Sequence, residues 1–261
     1  MANDERRVAL VTGATSGIGL SVAQDLARTG LAVFICARDA DAVKETVEQL
    51  RAAGHEADGT SCDVRDKAAV QTLVESAMSA YGRVDVLVNN AGRGGGGVTA
   101  DLPDEIWYDV IDTNLNSVFL VTREVLKRSG MQERGWGRVI NIASTGGKQG
   151  VVLAAPYSAS KHGVIGFSKA LGKELAPTGV TVNAVCPGYV ETPMAQRVRA
   201  GYAAAWDTTE DDILRQFQAK IPLGRYSTPQ EVAGLVGYLA TDTAASITAQ
   251  ALNVCGGLGN Y

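Results

Sequence analysis

The chain has 261 residues, 46% hydrophobic and 20% charged, which is enough to bury one full core, and an α/β unit of this size is commonly one domain. Its formal net charge of −4 leaves no global basic surface for a phosphate backbone, so nucleic acid is not an expected partner. The opening MANDERRVALVTG lacks the apolar stretch and cleavage site of a secretory signal, and no run approaches the roughly 18 apolar residues that span a bilayer; the expectation is a soluble, cytoplasmic protein without membrane contact.

In chain order, RVALVTG is the first strand candidate, followed by a helix from about Gly17 to Thr29, the strand LAVFICAR and a helix from Asp41 to Ala53. EADGTSCDV, VDVLVNNAG, GRVINIAS, TVNAVCPG and ALNVCGG are the later strand candidates, with helical periodicity between them. Near-continuous apolar strands separated by helices imply crossover connections, hence a single-domain α/β fold with a doubly wound parallel sheet whose ligands sit at the carboxyl ends of the strands. Residues 194–220 break this rhythm and carry Met194, Tyr202 and Trp206, which predicts a helical lid over the site rather than a plain surface insertion. Cys36, Cys62, Cys186 and Cys255 lie far apart, and His55 and His162 show no metal-ligand spacing, so neither disulfides nor a metal is expected.

The first strand runs into Thr12-Gly13-Ala14-Thr15-Ser16-Gly17-Ile18-Gly19 and then a helix. Glycines permit a tight turn with close backbone approach, and unpaired N–H groups at a helix start attract a pyrophosphate. At the end of the second strand, Arg38 favours the 2′-phosphate of NADPH, although the adjacent Asp39 can instead meet a ribose hydroxyl. Asp63, beyond the third strand, can accept from an adenine amino group, and Asn90, beyond the fourth, can fix neighbouring backbone; either also suits a plain turn.

Tyr157-Ser-Ala-Ser-Lys161, with Pro156 before it and Ser144 upstream, is the most specific pattern. Tyr157 and Lys161, four apart, share one helical face, and a nearby ammonium is expected to lower the phenol's pKa and tune it as a general acid. The Ser144 hydroxyl can donate to a substrate carbonyl oxygen as charge develops there. Asn114, a poor helix former, lies in a periodic segment beginning near Asp104 and decides nothing by position alone.

These motifs, in this order from Val8 to Gly257, resemble the short-chain dehydrogenase/reductase family of Rossmann-type reductases. The resemblance implies NADPH as cofactor and places Thr12, Gly13, Thr15, Ser16, Gly17, Ile18 and Gly19 at the pyrophosphate. It places Asp63 and Val64 at the adenine, and Asn90, Ala91 and Gly92 toward the nicotinamide. Pro187, Gly188, Val190 and Thr192 match the loop that holds the carboxamide. Asn114, in this family, holds a water that extends the Tyr157/Lys161 pair into a proton relay. Within the family, STGGKQGVV, APYSASKHGV, NAVCPGYVETPMA and ALNVCGGLGNY are similar to the ketoreductases of type II aromatic polyketide synthases. That likeness implies a poly-β-ketone tethered to an acyl carrier protein, reduced at one carbonyl, usually the one nine carbons from the thioester, by a homotetramer. Gln149, Val151, Met194 and Tyr202 become candidate pocket residues, and Arg38, Arg65 and Arg93 a candidate basic patch for the acidic carrier. Two departures stand out. Such ketoreductases often carry Pro-Gly-Gly where this chain has Gly94-Gly95-Gly96, also candidate substrate contacts, and without proline the loop loses a fixed φ. Cys255 replaces the aspartate common before the terminal glycines in the wider family.

Overall fold

Strand and helix alternate almost throughout the computed structural model, which describes residues 6–259 and 261. In chain order the elements are β1 (Val8–Thr12), α1 (Gly17–Arg28), β2 (Ala32–Ala37), α2 (Ala40–Ala52), β3 (Ala57–Ser61), α3 (Lys67–Tyr81), β4 (Val86–Asn89), α4 (Asp104–Ile111) and α5 (Ser117–Arg128). The second half continues with β5 (Gly137–Ile142), α6 (Ala155–Leu175), β6 (Val180–Pro187), α7 (Pro193–Ala205), α8 (Glu210–Gln218), α9 (Pro229–Leu239) and β7 (Ala251–Val254). The strands form one parallel sheet in the order β3-β2-β1-β4-β5-β6-β7. The chain winds outward from β1 in one direction and from β4 in the other. The loops after these two central strands therefore flank the crevice in which such sheets bind ligands.

The period of two along β1 divides the core. Ala9 and Val11 face one layer with Val22, Leu26, Val43, Val232 and Val236, while Leu10 faces the other with Leu73, Val74, Val121 and Leu171. Each large apolar side chain so buried contributes about 1.5–3 kcal/mol. Local chemistry sets the helix ends: Asp39 and Asp66 cap α2 and α3, Thr228 and Glu231 form a capping box on α9, and Gly82, with φ +73°, ends α3.

The sequence run Glu56–Val64 is strand only over Ala57–Ser61. That polar ADGTS segment is an edge strand with one neighbour, so it does not need the two buried faces of the central strands. Residues 194–220 hold the two helices α7 and α8, packed on each other through Ala203, Ile213 and Phe217. Among the described residues no helix is long and apolar enough to cross a membrane, and no group of three or more His, Cys, Asp or Glu is placed to hold a metal. All four cysteines are free and buried.

Candidate active site

The glycine loop between β1 and α1 is tied to the end of β4. Thr12 Oγ1 accepts from the backbone N–H groups of Asn90 and Ala91, both at 3.0 Å, and Asn90 Nδ2 donates to the carbonyls of Thr12 and Gly13, both at 2.9 Å. Asn90 thus fixes neighbouring backbone, the first of the roles its position allowed. Gly13 and Gly17 have φ +64° and +54°, a left-handed backbone that a side chain would strain. α1 begins without a side-chain cap at Ser16, unlike α2 and α3, and without an acidic residue in its first turn, unlike α2. Its first-turn N–H groups are therefore left for an external anion.

Arg38 is exposed just beyond β2. Asp39 is a helix cap: its Oδ1 accepts from Asp41 N at 3.0 Å and Ala42 N at 3.1 Å, which fixes the side chain at the start of α2. Asp63 accepts from the backbone and side chain of Arg65, and the hydrogen bond from Arg65 holds its pKa below the usual carboxylate value. Arg65 also reaches Asp109 of α4, and Arg93 pairs with the same carboxylate. Of the three arginines expected as a basic patch, two are therefore neutralised in part within the chain, because α4 delivers Asp109 between them.

Asn114 lies in a single π-helical turn, Asp112–Asn116, between α4 and α5. It is fully buried, accepts from Arg93 N at 2.8 Å, and donates to Arg93 O at 2.9 Å and Ser160 Oγ at 3.1 Å. A Cβ on Gly92 would lie 3.3 Å from Asn114 Oδ1 and 3.6 Å from Lys161 Nζ, so the Asn-Asn-Ala-Gly turn, Asn114 and Lys161 meet at one point. Ser144 lies two residues beyond β5, where its Oγ accepts from Gly146 N at 3.0 Å and is hydrogen-bonded to the Tyr157 hydroxyl. Tyr157 and Lys161 project from the first turns of α6, and Lys161 Nζ donates to Ile142 O at 2.8 Å and lies 5.9 Å from the Tyr157 ring centre.

Burial pushes the Tyr157 pKa up, with the Ser144 hydrogen bond opposing it, although part of the ring remains open to the cleft. The sequence expectation was the reverse, a phenol lowered by Lys161. Burial of the phenol outweighs the Ser144 hydrogen bond, and Lys161, itself pushed down to about 8 by burial, donates to Ile142 O. The phenol is consequently protonated at neutral pH, as a proton donor must be.

Of the candidate substrate residues, Gly94 packs toward Val198 of α7 and Gly95 toward Val110 of α4, while Gly96 lies against Leu153 and Ala154. Val151 N donates to Ser158 Oγ at 3.1 Å, and the Val151 side chain lies beside Gly146. Tyr202 of α7 donates its hydroxyl to Val152 O at 2.6 Å, fastening α7 across to this loop. Met194 opens α7 half-buried, whereas Gln149 is exposed after the Thr145–Gly147 turn. Thr192 caps α7 through Ala195 N at 3.2 Å, and its Cγ2 stands 3.2 Å from a Cβ on Gly17, which brings the Pro187–Thr192 loop onto the glycine loop. Gly188 packs on Cys255, and Val190 is buried.

The glycine loop, Asn-Asn-Ala-Gly turn, serine and Tyr-x-x-x-Lys helix thus converge on one crevice, and a model of the family described as short chain dehydrogenase matches residues 7–203. The chain belongs to the short-chain dehydrogenase family. Among this dehydrogenase's relatives, a Streptomyces virginiae protein named as a ketoacyl reductase of the monensin polyketide synthase is 72% identical over 261 residues, the whole of both chains. The 3-oxoacyl-[acyl-carrier-protein] reductase of Escherichia coli is 38% identical over 256 residues, 98% of each. A crystallised variant of the actinorhodin polyketide ketoreductase, solved with NADPH, superposes with a TM-score of 0.96 at 61% identity over 100% of both chains. Sequence reasoning did not single out Asp109, Ser160, Glu191 or Arg199. Each reads alone as an ordinary helix or loop polar residue, and nothing in the local pattern marks which partner the fold brings to it.

Proposed function

We propose that the chain is an NADPH-dependent ketoreductase that reduces one carbonyl of a poly-β-ketone held on an acyl carrier protein, the one nine carbons from the thioester. The observation that carries this reading is the hydrogen-bonded Ser144–Tyr157 pair, with Lys161 and Asn114 behind it, at the carboxyl edge of the sheet beside the glycine loop. The uncapped start of α1 fits a pyrophosphate, exposed Arg38 fits a 2′-phosphate, and Thr192 fits the nicotinamide end. NADPH, when bound, supplies hydride to the carbonyl carbon.

The chain's own residues do the rest. Ser144 donates to the carbonyl oxygen and stabilises the developing charge, and Tyr157 Oη delivers its proton to that oxygen. Lys161 stands within reach of the vacated phenolate, and Asn114, bonded to Arg93 and Ser160, holds the end of the relay toward solvent. α7 and α8 act as the lid, with Gly94–Gly96, Val151, Met194 and Tyr202 lining the cleft beneath it and Gln149 at its rim. The active form is a cytoplasmic homotetramer. Exposed Arg38 and the half-shared Arg65 and Arg93 receive the acidic carrier.

The test follows NADPH oxidation, with NADH as control, on trans-1-decalone beside an acetoacetyl thioester. Preference for the bicycle with NADPH supports the reading. Preference for the linear thioester supports the activity named for the Escherichia coli relative, and tight NADPH binding without turnover of either supports a non-catalytic sensor. Tyr157→Phe is expected to lower turnover by about 10²–10⁴-fold while leaving NADPH binding in place.

A further inference from the structure

Arg199 sits on α7 with its side chain only 10% exposed, and its two terminal nitrogens donate to both carboxylate oxygens of Glu191, each at 2.9 Å. Its guanidinium carbon lies 5.5 Å from the ring centre of Tyr226, whose hydroxyl it also hydrogen-bonds. Tyr226 stacks on Tyr189 at 5.2 Å, and Tyr189 stacks on Phe217 of α8 at 4.7 Å. Glu191 N donates to Ser227 O at 3.0 Å, and Ser227 N donates to Tyr189 O at 2.9 Å. Arg199 is therefore the point at which α7, the aromatic column reaching α8, and the segment from Gly188 to Thr192 are joined.

That segment is the one whose Thr192 rests on the glycine loop. α7 is the helix that reaches Val152 through Tyr202 and Gly94 through Val198. Two parallel charge-assisted bonds fix both angle and distance, which a lysine's single ammonium cannot do. A pair placed only for stability has little reason to bury a cation among tyrosines, since an ion pair with one partner 46% exposed contributes little.

We propose that Arg199 is a positioning residue for the reaction: by gripping Glu191 it seats the Gly188–Thr192 loop on the glycine loop and sets α7 over the cleft, so one ion pair governs dinucleotide and ketone binding together. This rests on the NADPH-reductase reading above.

The experiment compares wild type with Glu191→Gln, Arg199→Lys, Arg199→Met and the double variant Glu191→Gln/Arg199→Met. NADPH affinity is titrated without ketone, and KM for trans-1-decalone, kcat and the thermal midpoint are measured on the same preparations. Glu191→Gln, at the more exposed end of the pair, keeps the fold and is expected to weaken NADPH binding about tenfold and to raise the ketone KM severalfold, with kcat at saturation within about twofold of wild type. Arg199→Lys falls between wild type and Arg199→Met, and the double variant binds no worse than Arg199→Met, as for one shared contact. A lowered thermal midpoint with NADPH affinity and KM unchanged overturns the proposal, leaving a structural fastening only. So does a fall in kcat with both binding terms intact. A wild-type chain that fails to bind NADPH sinks the reductase reading first, and the titration separates that outcome from the others.

Discussion

Replacing Lys161 with methionine should make the protein inactive and, near neutral pH, relieve it of a buried charge. Lys161 is 5% exposed, and burial lowers its pKa from 10.5 to about 8. At about 1.4 kcal/mol per pH unit, that gap corresponds to about 3 kcal/mol of cost in keeping the ammonium charged inside the fold. Below about pH 8 both folded and unfolded chains hold the proton, and the folded state bears the full cost. Between about 8 and 10.5 the unfolded chain still holds a proton that the folded one has released, so wild-type stability relative to Lys161→Met rises with pH across this window, by up to about 3 kcal/mol. The lost bond to Ile142 O is the same at every pH and drops out of the slope. Tyr81 and Tyr189, pushed up to about 12 by burial, erode stability above about pH 10 in both proteins and cancel in the difference. Urea unfolding from pH 7 to 10.5 at fixed protein concentration measures it. A difference that stays flat across the range would falsify the assignment of a buried, depressed lysine at the centre of the site.

Two further outcomes follow from the cofactor side. Arg38→Gln should weaken NADPH about 10–100-fold while leaving NADH nearly unchanged, because one charge-assisted contact to the 2′-phosphate is lost; equal weakening of both, by titration, refutes that role. Gly19→Ala places a Cβ against Gly13 O and Asn90 Nδ2, so it should abolish NADPH binding while circular dichroism shows the fold retained. Undiminished binding would mean that the loop relaxes around a methyl group.

The central strands were legible because burial on both faces leaves β1, β2, β4, β5 and β6 a strongly apolar code, and the helices between them because one buried face leaves a helical period; the caps Asp39 and Asp66 and the terminating Gly82 were not read as helix ends. β3 was read too long because Cys62 and Val64 are buried from a loop, and burial alone does not distinguish loop from strand. The catalytic spacing was legible because four residues on a helix make one face. The direction of the Tyr157 pKa was not, since desolvation depends on everything packed around the hydroxyl. Ion pairs such as Arg93–Asp109 and Arg199–Glu191 were hidden for a related reason: a charge in sequence carries no sign of which partner the fold will bring to it.

The sheet order has a cost during synthesis. Val8 and Asp85, bonded between the start of β1 and the residue before β4, are 77 positions apart. While the ribosome makes α2, β3 and α3, β1 has a partner on one side only, and its other edge of buried valine and leucine stands open to any strand nearby. Emergence of β4 closes that edge from within, so translational speed through the stretch from Ala57 to Asn89 sets how long a nascent chain is exposed to pairing with its neighbours.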